Sequence, residues 1–244
     1  MRTGIFITGT DTGVGKTIVA AGLVLALKQR GLNVGYMKPV ESGCPVLDGE
    51  VVPQDVRFVR EVTGLRDDID LMCPYRLKAP AAPSIASRLE DMHIDVAYIV
   101  DQYFQLSLMH EIVVVEGVGG LMVPLNNNDL VTDLVLQMGL DMLVVSRPGL
   151  GTINHTLLTV NMAKMMGIPL SGVIINGFGR EAIGLPERTN PDEIEHFGNI
   201  PVLGILPWLK DLDFNTCKPG SLLSEFMERV NIDPLLQNDD DSFL

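Results

Sequence analysis

The chain's 244 residues suit one large α/β domain rather than several, and a 46% apolar share with mean hydropathy +0.25 can fill a core without disulfide or metal staples. Eighteen Lys and Arg against 31 Asp and Glu leave a formal charge of −13, which argues against a partner held by a general positive field, nucleic acid and anionic membrane alike. Disorder is excluded by the abundance of Val, Ile and Leu, and an odd set of distant cysteines, Cys44, Cys73 and Cys217, reads as reduced cytoplasmic thiols rather than a disulfide framework.

In chain order, an apolar strand at Gly4–Thr8 leads through Gly9-Thr10-Asp11-Thr12-Gly13-Val14-Gly15-Lys16-Thr17 into a helix at Lys16–Arg30. A glycine-rich turn between strand and helix is where a phosphate-binding loop belongs, because consecutive backbone N–H groups and the helix N-terminus converge on one anion-sized spot. Lys16 would reach the β- and γ-phosphates and the Thr17 hydroxyl would hold Mg²⁺. The usual pattern has glycine at position 10, where this chain carries Thr10 and places Gly9 one step earlier. Val19, Leu23 and Leu27 recur at helical spacing and predict one buried face, and Gly31 after Lys28-Gln29-Arg30 predicts its stop.

A second strand, Val34–Lys38, runs into Lys38-Pro39-Val40-Glu41-Ser42-Gly43. A lysine at a strand's C-terminal end is either solvated or, beside a phosphate crevice, able to stabilise a transferring phosphoryl group. Ser42 could donate to a substrate oxygen. Ser42–Gln54 reads as a polar loop, and Asp55, opening a helix at Asp55–Thr63, reads from spacing as an N-cap. Cys73–Pro83 carries Pro74, Pro80 and Pro83 and is expected to hold no regular element.

A helix at Ile94–His110 precedes the apolar strand Ile112–Glu116, which ends in a carboxylate followed by Gly117-Val118-Gly119-Gly120. Ligands of open α/β sheets bind beyond the strand C-termini, which suits Glu116 as a second Mg²⁺ ligand and the glycines as phosphate-approaching backbone; alone, it reads equally as a solvated charge. Helices at Leu130–Met138, Thr152–Met166 and Glu193–His196 alternate with strands Met142–Ser146, Gly172–Asn176 and Val202–Leu206. The acidic stretch from Gln237 to Asp241 reads as frayed. This alternation predicts an α/β fold of the P-loop NTPase type, a mostly parallel sheet with helices on both faces, in a single domain spanning 1–244.

No apolar run approaches a membrane span, since Glu116 interrupts the densest one, and the N-terminal run is too short for a signal-peptide core. A cytoplasmic protein is expected. His93, His110, His155 and His196 lack zinc-ligand spacing. Met162, Met165 and Met166 read as interface or core packing. No serine stands in a nucleophile elbow.

Together, Gly9 to Thr17, Lys38 to Gly43, Glu116 to Gly120 and Gly151-Thr152-Ile153-Asn154-His155 closely resemble the motifs of the ATP-dependent dethiobiotin synthetases, in that family's order, from residue 4 to about residue 209. The resemblance implies a homodimeric ligase of biotin biosynthesis that converts 7,8-diaminopelargonate, CO₂ and Mg·ATP into dethiobiotin, ADP and phosphate through a carbamate. It implies Thr17, Asp55 and Glu116 as Mg²⁺ ligands, Lys16 and Lys38 flanking the γ-phosphate and carbamate, and Thr12 and Ser42 on carbamate or diamine. It also implies nucleotide contacts from Gly13, Val14, Gly15, Ile18, Gly117, Val118 and Gly119. Asn176 and Gly177, with Pro207, Trp208 and Leu209, would form the adenine side, and Leu150, Gly151 and Asn154 would bind the substrate carboxylate across the dimer. Gly13 stands where some members carry an acidic residue, and Asn176-Gly177 lacks the Asn-Asp pair of some members. Two other classes share such a loop. Chromosome-partitioning and septum-placing switches carry a signature lysine where this chain has Asp11. Amidating synthetases of cobalamin-type pathways add a glutaminase domain, for which the chain after Trp208 is too short.

Overall fold

The computed structural model describes residues 4–180 and 183–236; the acidic stretch from Gln237 lies outside them. In chain order the elements are β1 (Gly4–Gly9), α1 (Lys16–Gln29), β2 (Val34–Met37), β3 (Val40–Ser42), β4 (Val46–Leu47), β5 (Glu50–Val51), α2 (Gln54–Thr63), α3 (Ile69–Met72), β6 (Tyr75–Leu77), α4 (Pro83–Leu89), α5 (Val96–Met109) and β7 (Ile112–Glu116). They continue with α6 (Val131–Met138), β8 (Asp141–Ser146), α7 (Thr152–Met165), β9 (Leu170–Phe178), α8 (Leu185–Gly198), β10 (Val202–Pro207) and α9 (Leu222–Arg229).

Six strands form one parallel sheet in the order β10-β9-β8-β1-β7-β2. Because side chains alternate along a strand, β1 sends Ile5 and Ile7 into the layer of α1, α2 and α9, and Phe6 into the layer of α5, α6, α7 and α8. In β7, Val114 joins the first layer while Val113 and Val115 join the second. Both faces of the sheet are therefore apolar, which explains the raised hydropathy.

Helix α1 departs from the one-faced expectation. Val19, Ala20, Ala21, Gly22, Leu23, Val24, Ala26 and Leu27 are all buried, since α1 is covered by the sheet on one side and by α2 and α9 on others. Its end matches the reading, with Gly31 at φ +85°.

Three further expectations are corrected. Ser42–Gln54 holds a small hairpin, β4 with β5, turned by Asp48 and Gly49 at φ +51° and +86°, the left-handed pair that a two-residue hairpin turn needs. Cys73–Pro83 is not without structure: β6 pairs in parallel with β3, Pro74 and Pro80 flank the strand, and Pro83 opens α4 in its first turn, where proline is tolerated. Helix α8 is far longer than Glu193–His196 and contains Pro191 in its interior. Asn190 anchors it by donating to the carbonyls of Pro148 and Gly149 at 2.7 and 3.2 Å.

Candidate functional site

The sheet order places β1, β7 and β2 side by side, so the loop after β1, the last residue of β7 and the residue after β2 meet at one edge. Gly15 caps α1 in a left-handed conformation, φ +92°, and a Cβ there would stand 2.0 Å from Asn176 Nδ2. Glycine thus lets the Asn176 amide reach in from β9 and donate to the Val14 carbonyl at 2.9 Å. Lys16 folds back over the loop and donates to the Asp11 carbonyl at 3.2 Å. Burial lowers the Lys16 pKa to about 8, with Glu116 opposing and Lys38 adding to the shift.

Glu116 is 0% exposed and is satisfied from three directions. Its Oε1 accepts from the Thr17 hydroxyl at 2.8 Å and from Lys38 Nζ at 2.7 Å, and its Oε2 accepts from the Tyr36 hydroxyl at 2.7 Å. Lys38 Nζ also donates to Asp55 Oδ2. Burial alone would lower the Lys38 pKa, but Glu116, Asp55 and Glu41 together hold it above the usual lysine range, so the ammonium stays charged. The same surroundings push the Tyr36 hydroxyl well up, burial first and Glu116 next. Glu41 rises to about 7 through burial, against the pull of Lys38.

The Glu116 and Asp55 carboxylates therefore pair with one cation, the Lys38 ammonium, and the Thr17 hydroxyl bonds to the same Glu116 oxygen, which brings three hard oxygen donors together. Among the described residues no three His, Cys, Asp or Glu side chains form a closed metal cage. One or two carboxylates with a hydroxyl fit Mg²⁺, which takes its remaining oxygens from phosphates and water. Asp55 is not the cap that spacing suggested. Pro53 holds that place, and Asp55 stands in the first turn of α2, free to pair with Lys38.

A cleft of about 380 Å³ is lined by Thr12, Gly13, Gly15, Lys16, Thr17, Ile18, Lys38, Ser42, Asp55, Glu116, Val118 and Gly119, most of the residues singled out for phosphate, metal and substrate. A second hollow of about 590 Å³ brings Gly13, Val14, Leu150, Asn176, Gly177 and Trp208 together, with the Arg180 guanidinium 4.3 Å above the Trp208 ring. Pro207 ends β10, and Leu209 packs against the α1-side core. Gly117 donates its N–H to the Ile7 carbonyl. Gly151 caps α7 without a side-chain partner, φ +86°, and lies with exposed Asn154 outside the cleft.

Sequence reasoning missed Tyr36, Glu41 and Arg180. Tyr36 had a signal: it lies two residues before Lys38, on the same face of an extended chain. Glu41 had only its acidity within a motif, because its partners are backbone N–H groups. Arg180 had none.

Residues 3–216 match the AAA domain family. The ATP-dependent dethiobiotin synthetase BioD of Thermodesulfovibrio yellowstonii is 42% identical, over 87% of this chain and 92% of its own length. The BioD of Bacillus velezensis is 44% identical, over 84% and 86%. Among solved structures, the septum site-determining protein MinD from Pyrococcus horikoshii, complexed with Mg-ADP, superposes with a TM-score of 0.61 at 18% identity, covering 93% of this chain and 94% of that one. At such identity the likeness is one of fold, the P-loop NTPase type. No helix among the described residues is long and apolar enough to cross a membrane.

Proposed function

The chain belongs to the ATP-dependent dethiobiotin synthetases, ligases of biotin biosynthesis, and on that premise we propose how its cleft joins 7,8-diaminopelargonate to CO₂ at the expense of ATP. The observation that carries the reading is the charged Lys38, held against Asp55 and Glu116 in the same cleft as Lys16, Thr12 and Ser42.

One amine of the substrate adds to CO₂ and loses a proton, giving a carbamate. A carbamate oxygen then attacks the γ-phosphorus and ADP leaves. The second amine attacks the carbonyl carbon of the resulting mixed anhydride, closing the ureido ring as phosphate departs. None of these steps requires a covalent bond to the protein. The residues position the reactants and neutralise charge, as phosphoryl transfer demands.

Lys16 and the N–H groups of Gly13 to Thr17 receive the triphosphate at the start of α1. Lys38 is protonated before any reactant arrives, and its ammonium meets the charge that develops on the transferring phosphoryl group, a contribution worth about 10²–10³ in rate. Thr12 and Ser42 offer hydroxyls to the carbamate or diamine. Thr17, Asp55 and Glu116 are the residues that would hold Mg²⁺, which when bound neutralises phosphate oxygens. Asn176, Gly177 and Trp208 form the nucleobase side, with Pro207 and Leu209 behind them.

The reading includes a cytoplasmic homodimer. Leu150, Leu158 and Met165 are largely exposed apolar residues at the start of α7 and along it, a face that a second copy would cover. The start of α7, with Leu150, Gly151 and Asn154, would then receive the substrate carboxylate bound in the partner.

The test is phosphate release from Mg·ATP and bicarbonate, with and without 7,8-diaminopelargonate, together with mass spectrometry of the product. Diamine-dependent phosphate and a dethiobiotin mass are expected. Phosphate appearing at the same rate without the diamine would sink the ring-closing assignment.

A further inference from the structure

Glu41 lines the phosphate cleft yet is only 5% exposed, and both of its oxygens face the start of a helix. Oε1 accepts from the Asp55 N–H at 3.0 Å and Oε2 from the Val56 N–H at 3.4 Å. Helix α2 needs such an acceptor. Its cap residue, Pro53, makes no side-chain capping bond, whereas an ordinary N-cap supplies an oxygen to the second or third helical N–H. The next residue does not substitute for it, because the Gln54 side chain donates to the Val52 carbonyl. Glu41 reaches across from β3 and provides the missing oxygens.

The consequence concerns position. Glu41 follows Lys38 by three residues, and the N–H it holds belongs to Asp55, whose side chain meets that same lysine. The strand after Lys38 and the helix start carrying Asp55 are thereby fixed to one another. We propose that Glu41 is a positioning residue that presets the Asp55 carboxylate in the phosphate cleft by capping α2 from outside the helix. The proposal rests on the reading of Asp55 as a metal ligand.

The test measures Mn²⁺ binding to the ADP-loaded protein by the electron paramagnetic resonance of free Mn²⁺, beside thermal melts, for the unaltered chain and for Glu41→Ala, Glu41→Gln, Asp55→Asn and the Glu41→Ala/Asp55→Asn double variant. Outer-shell partners typically change metal affinity by about 10–100-fold. Glu41→Ala is expected to weaken Mn²⁺ about tenfold. Glu41→Gln keeps one oxygen for the Asp55 N–H and should lose less; it also carries the measurement if the alanine variant does not fold. The double variant should bind no more weakly than Asp55→Asn alone, because Glu41 acts through Asp55. Glu41 variants that melt earlier while their Mn²⁺ affinity stays unchanged, with Asp55→Asn weakened, would reduce Glu41 to a structural cap and overturn the proposal. Multiplying effects in the double variant would overturn it too. Unchanged affinity in Asp55→Asn would instead overturn the metal assignment of Asp55, and the positioning role with it.

Discussion

Replacing Lys38 by glutamine tests the charge balance of the site. The Lys38 side chain is 6% exposed and pairs with Asp55 and with the fully buried Glu116. Removing one partner of a buried ion pair costs about 3–5 kcal/mol, since it leaves a charge without compensation. The lower end applies here, because the glutamine amide still offers N–H donors and Glu116 keeps its hydrogen bonds from Thr17 and Tyr36. At roughly 2–4 °C per kcal/mol for a domain of this size, the melting temperature should fall by about 6–12 °C in EDTA. Differential scanning calorimetry measures this directly, and Mg²⁺ should restore part of the loss because a divalent ion supplies the missing charge. In the coupled phosphate-release assay kcat should drop about 10²–10³-fold, with a far smaller change in ATP binding. A melting temperature within about 2 °C of the unaltered protein, in EDTA, would show that the pair contributes little and refute the reasoning.

Other residues give separate tests. A Cβ at Gly22 would stand 2.3 Å from Cδ2 of the buried Phe226, so overpacking of about 1–3 kcal/mol should outweigh the roughly 1 kcal/mol that alanine gains in a helix. Gly22→Ala should lower stability in urea denaturation, yet raise it, or leave it level, in a Phe226→Leu background; equal effects in both backgrounds would deny the contact. Asn176→Ala removes the donor to Val14, and loss of a bond worth about 1 kcal/mol should weaken ADP about fivefold by titration calorimetry, against no change if the tether is idle. Burial pushes the Cys44 thiol up to about 12 and Cys73 well above the usual range, while Cys217 is partly exposed. An aromatic disulfide reagent should therefore react quickly with one thiol of the native chain at pH 8. Raising the pH to 10 should leave Cys44 out of the fast phase, since its thiol is still neutral there; a second fast thiol would contradict this.

What the sequence made legible was local in the chain. Gly9 to Thr17 could be read because strand, turn and helix follow one another without a break, and Glu116 because a carboxylate ends an otherwise apolar strand. Asp55 was different. Spacing pointed to a cap, while its pairing with Lys38 depends on the start of α2 meeting the chain that follows β2, which no periodicity encodes. The pairing of β3 with β6 was hidden for the same reason: each strand is three residues long, and the prolines around β6 advertised a loop. Pro191 concealed the length of α8, because a lost N–H inside a helix normally ends it. There the hydrogen bonds from Asn190 to the loop before α7 help hold the helix in place. Glu41 was invisible because backbone N–H groups leave no trace in a sequence.

The all-round burial of α1 bears on how a nucleotide would be felt by the rest of the molecule. A helix with solvent on one side can fray alone, whereas one enclosed by sheet and neighbouring helices exchanges its amide hydrogens only when a large part of the domain opens. The loop from Gly13 to Thr17, whose N–H groups are proposed to receive phosphate, runs directly into the start of that enclosed helix. A nucleotide seated there would gain from N–H groups ordered before it arrives, and its binding free energy would add to the stability of the whole cooperative unit as RT ln(1 + [L]/Kd). Saturating nucleotide should accordingly slow hydrogen exchange in the strands of the central sheet as much as in the loop that it touches.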